Sequence, residues 1–154
     1  MKRERSALMS MMNASPPPDN AAALHASVTI VDDDVDSAEA LQALVSAHPG
    51  VVSVRTVASA AGAVALLRGD AEVSAFSVPA RQIVLIDLHQ DDPTAQATLE
   101  GLRADLPDAA VVLLCLYPEQ SRGAVCSLAD RCVPKDTTPA DLRDLLDDLL
   151  GRGV

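Results

Sequence analysis

A chain of 154 residues has room for one domain with a full core, and not comfortably for two. Its net charge of −10 argues against a nucleic-acid surface, which needs a basic stripe. No apolar run approaches the roughly 18 residues of a membrane-spanning helix, and the basic N-terminus lacks the apolar stretch of a secretory signal, so the expected location is cytoplasmic. With one Phe, one Tyr and no Trp, the core has to be built from Ala, Val, Leu and Ile.

In chain order, residues 1–26 read as a disordered extension, with a charged start, a Met/Ser patch and the triplet Pro16-Pro17-Pro18. The folded domain is expected over 27–154. The stretch Ser27–Asp36 (SVTIVDDDVD) opens it: Val28–Val31 is a compact apolar strand that ends in Asp32, Asp33 and Asp34. Adjacent carboxylates repel, and a hard divalent cation such as Mg²⁺ would relieve them; equally, one of them can simply cap the next helix. Ser37–His48 follows as a helix stopped by Pro49-Gly50, then a strand at Val51–Val57. A second helix, Ala58–Arg68, is expected to stop at Gly69, before a loop over 69–80. Ile83–Ile86 repeats the opening pattern and ends in Asp87. A helix at Thr94–Leu106, a strongly apolar strand at Ala109–Leu116, a weaker helix at Pro118–Ala129 and a short strand at Arg131–Val133 bring the chain to Pro134 and Lys135. Thr138-Pro139 then opens a last helix, with Leu142, Leu145, Leu146, Leu149 and Leu150 on one face and Gly151 as its end.

A strand–helix unit repeated five times calls for a parallel sheet with helices on both faces, a doubly wound α/β fold. In that fold Asp32, Asp33, Asp87 and Lys135 all fall at the same sheet edge, where open α/β folds carry their sites. Lys135 is one of only two lysines against ten arginines. An ammonium is a compact point charge suited to a phosphoryl oxygen, and a guanidinium fork is not its equivalent. The three cysteines, Cys115, Cys126 and Cys132, are odd in number and lack CxxC spacing. They are expected as buried structural thiols, with neither a disulfide framework nor a zinc site. His25 and His48 are expected at the surface, and Asp144, Asp147 and Asp148 on a solvated helix face.

The motifs VTIVDDD, IVLID and VPKDTTPADLRDLL make the chain from about Val28 to Leu150 resemble a response-regulator receiver domain, in its KD-TxxDL ending that of the NarL/FixJ type. The resemblance implies a flavodoxin-like (βα)5 fold with strand order 2-1-3-4-5. It implies that Asp87 is the phosphoacceptor, that Asp32 and Asp33 bind Mg²⁺ with Asp87 and the backbone carbonyl of His89, and that Lys135 contacts the phosphoryl group. The chain departs from the family at the Thr/Ser switch position, which holds Cys115, at the small residue after it, which is Leu116, and at the switch aromatic, which is Cys132. HQDDPTAQ replaces the usual turn after the phosphoacceptor.

On this basis the expected function is a stand-alone receiver in a two-component phosphorelay, a phosphoprotein that is not itself an enzyme. Its expected partners are a histidine kinase or phosphotransfer protein and a downstream protein, with a homodimer through the last helix a further option. No output domain follows the last helix in the sequence, so no direct DNA binding is expected. The alternative is a receiver-like interaction module that acts without phosphorylation, to which the two cysteines point. A third reading is a phosphohydrolase of the haloacid-dehalogenase type, since Asp32-x-Asp34 resembles its DxD strand end.

Overall fold

The opening apolar run is longer than its pattern announces: β1 spans His25–Val31. The computed structural model describes residues 25–73, 80–88, 93–115 and 124–151. His25 and Ala26, expected in the N-terminal extension, are the first residues of β1, because Ala26 is fully buried and donates its amide to the Gly50 carbonyl at 2.8 Å. The rest of that expected extension, residues 1–24, lies outside the described residues.

Helix α1 runs Val35–Ser46 and starts two residues before the expected Ser37. The cause is Asp34, whose carboxylate accepts from the Asp36 amide at 3.1 Å and the Ser37 hydroxyl at 3.2 Å. β2 spans Val51–Val57 as expected, on the sheet edge and half exposed. Helix α2 spans Ala60–Val73 and passes through Gly69, its expected stop. Among the described residues only Gly151 has the positive φ of a terminating glycine, so Gly69 is an ordinary helical position. β3 spans Ala80–Asp87, starting three residues before the expected Ile83. Helix α3 (Ala95–Asp105) and β4 (Ala110–Cys115) lie within their expected spans, and all six residues of β4 are buried. Helix α4 spans Ala124–Ser127; Leu128 and Ala129, expected in the same helix, form a turn, and the rest of that helix, with Leu116 before it, falls in 116–123 outside the described residues.

β5 spans Arg131–Pro134 and α5 spans Pro139–Leu149. Thr138 caps α5 by accepting from the Asp141 amide at 3.1 Å, and Gly151 (φ 71°) ends it. Replacing Thr138 by Ala should therefore cost about 1 kcal/mol of stability in urea denaturation, while Thr138→Ser should cost little.

The five strands are all parallel, in the order β2-β1-β3-β4-β5. Side chains alternate between the two faces of the sheet. Val28, Ile30, Ile83, Leu85 and Val112 pack with Ala38 and Val45 of α1 and with Leu142, Leu146 and Leu149 of α5. Val31, Val84, Ile86, Val111 and Leu113 form the other core, with Ala63 and Leu67 of α2 and Leu99 and Leu102 of α3. Branched aliphatics fill both, as the lack of aromatics requires.

His48 is a correction to the sequence reading: it is buried, not at the surface. Its Nδ1 accepts the Gly50 amide at 2.9 Å, so its ring proton sits on Nε2 and is donated to Asp147 at 2.7 Å. This ties the turn after α1 to α5. His25 is half-buried in β1. Asp144 and Asp148 lie on a solvated face as expected, Asp148 with the Arg131 guanidinium at 2.6 Å, while Asp147 is half-buried and paired with His48.

The cysteines are a further correction. Cys126 and Cys132 form a disulfide, because the turn from α4 into β5 brings their Cα atoms to 5.8 Å, within bridging range. Cys115 is buried as expected.

The turn before β5 is held by Asp130. Burial pushes its carboxyl up, but the Val111 amide (2.8 Å) and the Arg103 guanidinium (2.7 Å), with Arg131 nearby, together hold it below its ordinary value of 3.8. A carboxyl held low binds fewer protons folded than unfolded, so its contribution is present above about pH 4 and fades as pH falls through the folded value. Asp130→Asn should thus be destabilising at pH 7, and its difference from the parent protein should shrink towards pH 3 in urea titrations.

Candidate functional site

Because every strand runs the same way, the residues leaving β1, β3 and β5 meet at one edge of the sheet. Asp32 is the first residue after β1, Asp87 the last of β3 and Lys135 the first after β5. The Lys135 ammonium lies 2.5 Å from Asp87 Oδ2, with side chains 28% and 7% exposed. The Lys135 amide donates to the Cys115 carbonyl at 2.7 Å, so the end of β4 fixes where the lysine starts.

Asp32 is 7% exposed and doubly held. Its amide donates to the Val57 carbonyl at 3.0 Å, and its Oδ1 accepts the Asp34 amide at 2.9 Å. Asp33 is exposed beside it. The three consecutive carboxylates therefore divide: Asp32 turns into the edge, Asp33 faces solvent and Asp34 caps α1. The cap reading of this run holds for Asp34, and Asp32 stands at the sheet edge. Asp34, the second aspartate of the DxD pattern, accepts hydrogen bonds from the first turn of α1.

Charge at the site is tightly coupled. Burial pushes the Asp32 carboxyl up and the Asp34 amide pulls it down; Asp87 and Asp33 raise it, Lys135 lowers it, and the net direction is up. Lys135 is held above its ordinary value of 10.5, first by its hydrogen bond to Asp87, which outweighs burial, and then by the charges of Asp87, Asp32 and Asp34. A hollow of about 240 Å³ opens beside these groups, lined by Asp32, Lys135, Leu114, Ser37, Leu41 and Leu44. Ser37 and Leu114 were not singled out in the sequence as site residues; α1 starting at Asp34 turns the first over the edge, and register beside Asp87 brings the second. His89, expected to give a backbone carbonyl, lies outside the described residues.

The donor set fits a hard divalent ion. Asp32 and Asp87 have little-exposed carboxylates, the kind of oxygen donor such an ion takes, and Asp33 is an exposed carboxylate next to Asp32 in the chain. When bound, such an ion would offset negative charge on oxygens gathered here.

Cys115, aligned with the switch hydroxyl, lies on the face of β4 away from α1 and α5. Its Sγ is 2.7 Å from that of Cys132, which aligns with the switch aromatic. Register gives the reason: Cys132 pairs with Leu113, two residues before Cys115 on the same face.

No family model and no curated protein sequence matches the chain. Solved structures do. A LuxR family DNA-binding response regulator from Silicibacter pomeroyi is 25% identical with a TM-score of 0.63, over 82% of this chain and 92% of that one. A CheY-like response regulator receiver domain from Methylobacillus flagellatus is 23% identical with a TM-score of 0.58, over 81% and 98%. The chain has the fold of a response-regulator receiver domain. The NarL/FixJ-like flavour of its sequence fits this, since LuxR family regulators are among the matches. A third receiver-fold match is the response regulator TrrA from Thermotoga maritima, solved in complex with Mg²⁺–BeF, 19% identical with a TM-score of 0.58 over 80% and 98%. Among the described residues of this receiver-fold chain, no helix is long and apolar enough to cross a membrane.

Proposed function

We propose that this domain is a two-component receiver that takes a phosphoryl group on Asp87. What carries the reading is the ammonium of Lys135 resting 2.5 Å from the Asp87 carboxylate, beside the buried Asp32, at the edge where three parallel strands end. An Asp87 oxygen bonds to phosphorus as the P–N bond of a donor phosphohistidine breaks, and that bond's electron pair returns to the imidazole nitrogen. Lys135 then neutralises a phosphoryl oxygen from the position in which it now neutralises Asp87. Asp32 and Asp33, with Asp87 and the backbone carbonyl of His89, would hold Mg²⁺, whose contribution is to offset charge on the transferring group.

The donor is a histidine kinase or phosphotransfer protein in the cytoplasm. The output is a protein contact on α5 and the neighbouring surface, with a homodimer through α5 as one form of it and no direct DNA contact.

One observation favours a second reading. Cys115 and Cys132 hold the positions where a hydroxyl and an aromatic ring would form the usual switch, and they are in contact with each other. A receiver-like module that binds its partner without phosphorylation would need no such switch.

Intact mass after incubation with Mg²⁺ and acetyl phosphate separates the two. A single phosphoryl adduct, absent from Asp87→Asn and kept in Asp34→Asn, is expected. A folded, Mg²⁺-binding protein that takes no adduct would assign the domain to the second reading.

A further inference from the structure

The three cysteines arrive from three different elements, yet their sulfurs lie within 4.8 Å of one another. Cys126 of α4 and Cys132 of β5 are bonded, and Cys115 of β4 comes to 2.7 Å from Cys132. A disulfide sulfur has no proton, so the one thiol proton among the three sulfurs is on Cys115, whose Sγ also lies 3.9 Å from the Leu113 carbonyl. That separation is much shorter than ordinary packing between sulfurs, and it puts a third sulfur against one particular end of the bridge. A cluster of three thiolates would suit a soft cation, but a bonded pair supplies no thiolates. The arrangement is instead that of thiol–disulfide exchange, in which a thiolate attacks one sulfur of a bridge through a three-sulfur line.

We infer that Cys115, Cys126 and Cys132 form an exchange site in which Cys132 shares its disulfide alternately with Cys126 and with Cys115. The Cys115 thiol loses its proton and attacks Cys132 Sγ. The Cys115–Cys132 bond forms as Cys126–Cys132 breaks, and the electron pair leaves on Cys126, which takes up a proton. Nothing is oxidised or reduced overall, so no external reagent is consumed. The accessibility of the thiol does change: Cys115 is 1% exposed, whereas Cys126 is half-buried. Exchange carries a reactive thiol from the core to a place that thiol-reactive molecules can reach.

Trypsin reads the pairing directly, since cleavage after Arg103, Arg122, Arg131 and Lys135 puts each cysteine on its own peptide. The oxidised full chain is treated with iodoacetamide under native conditions. It is then denatured, blocked with isotopically heavy iodoacetamide, digested without reduction and mapped by mass spectrometry. The expected result is light label on Cys126, roughly ten-fold above that on Cys115, together with a Cys115–Cys132 linked peptide. Oxidised Cys126→Ser should give the Cys115–Cys132 link alone, and Cys115→Ser should keep Cys126–Cys132 and lose the native label. Light label confined to Cys115, no light label at all, or a folded Cys126→Ser chain that forms no Cys115–Cys132 link would each overturn the inference. None of these readouts depends on Asp87, so the exchange site and the phosphoacceptor reading stand or fall separately.

Discussion

Leu85→Ala should lower the unfolding free energy by about 2–5 kcal/mol, the largest single-residue loss expected in the core. Leu85 is fully buried at the centre of β3 and is in register with Ile30 of β1 and Val112 of β4. Its side chain lies in the core that α1 and α5 cover. Its neighbours there are branched or short aliphatics held by strand and helix backbones, so they cannot swing into the space that an alanine leaves. The loss therefore includes the cavity as well as the transfer of the missing methyl groups. Urea unfolding at pH 7 gives the value directly. As a control, Val52→Ala on the outer face of β2, where the side chain is 57% exposed, should stay within about 0.5 kcal/mol. A loss below about 1 kcal/mol for Leu85→Ala would mean that this core repacks and that its neighbours do move into the space.

What the sequence announced, and what it hid, follows the range of each interaction. Strand identity is a local property of apolar runs such as IVLID, and strand order follows from chaining such runs through right-handed crossovers. The meeting of Asp32, Asp87 and Lys135 at one edge was legible for the same reason: once the strands are parallel, the residues that follow them must share an edge. His48 was not legible. Its partner Asp147 is 99 residues away, and a histidine before Pro-Gly looks like any solvated helix end. Gly69 misled because glycine is a stop only with a left-handed φ, which no sequence pattern fixes. The cysteines misled by their odd count. Pairing depends on the Cα separation set by the α4–β5 turn, and on the register that brings Cys132 beside Leu113 and hence near Cys115.

The division of labour among Asp32, Asp33 and Asp34 is also a matter of backbone geometry. Asp34 lies in the extended conformation (φ −92°, ψ 112°) that an N-cap requires, so its side chain turns back onto α1. Asp32, held by the Val57 carbonyl and the Asp34 amide, turns the opposite way. One tripeptide thus supplies a rim for the site and the anchor of the helix that walls it. A substitution at Asp34 is expected to act on the site through the start of α1 and through the loss of a charge that favours the Lys135 ammonium.

Lys135→Met should reduce phosphoryl uptake from acetyl phosphate by on the order of 10²-fold, the loss typical of removing one preorganised group that stabilises transition-state charge. The lysine sits on the Asp87 carboxylate at 2.5 Å, and its backbone is tied to the Cys115 carbonyl. The ammonium is therefore in place before any phosphoryl group arrives. Lys135→Arg should recover only part of the rate, because a broad guanidinium cannot occupy the position of a compact ammonium against Asp87. Stability separates this from a folding defect. Asp87 is 7% exposed and Lys135 28%, so losing the pair should cost roughly 1–3 kcal/mol, between the values for exposed and fully buried pairs. That cost should be no larger than for Asp130→Asn by more than a few-fold, and the protein should remain folded at 25 °C. A Lys135→Met protein that is folded and takes up phosphoryl groups at the parent rate would show that the ammonium serves the ion pair alone, and would remove the main support for phosphoryl transfer at this edge.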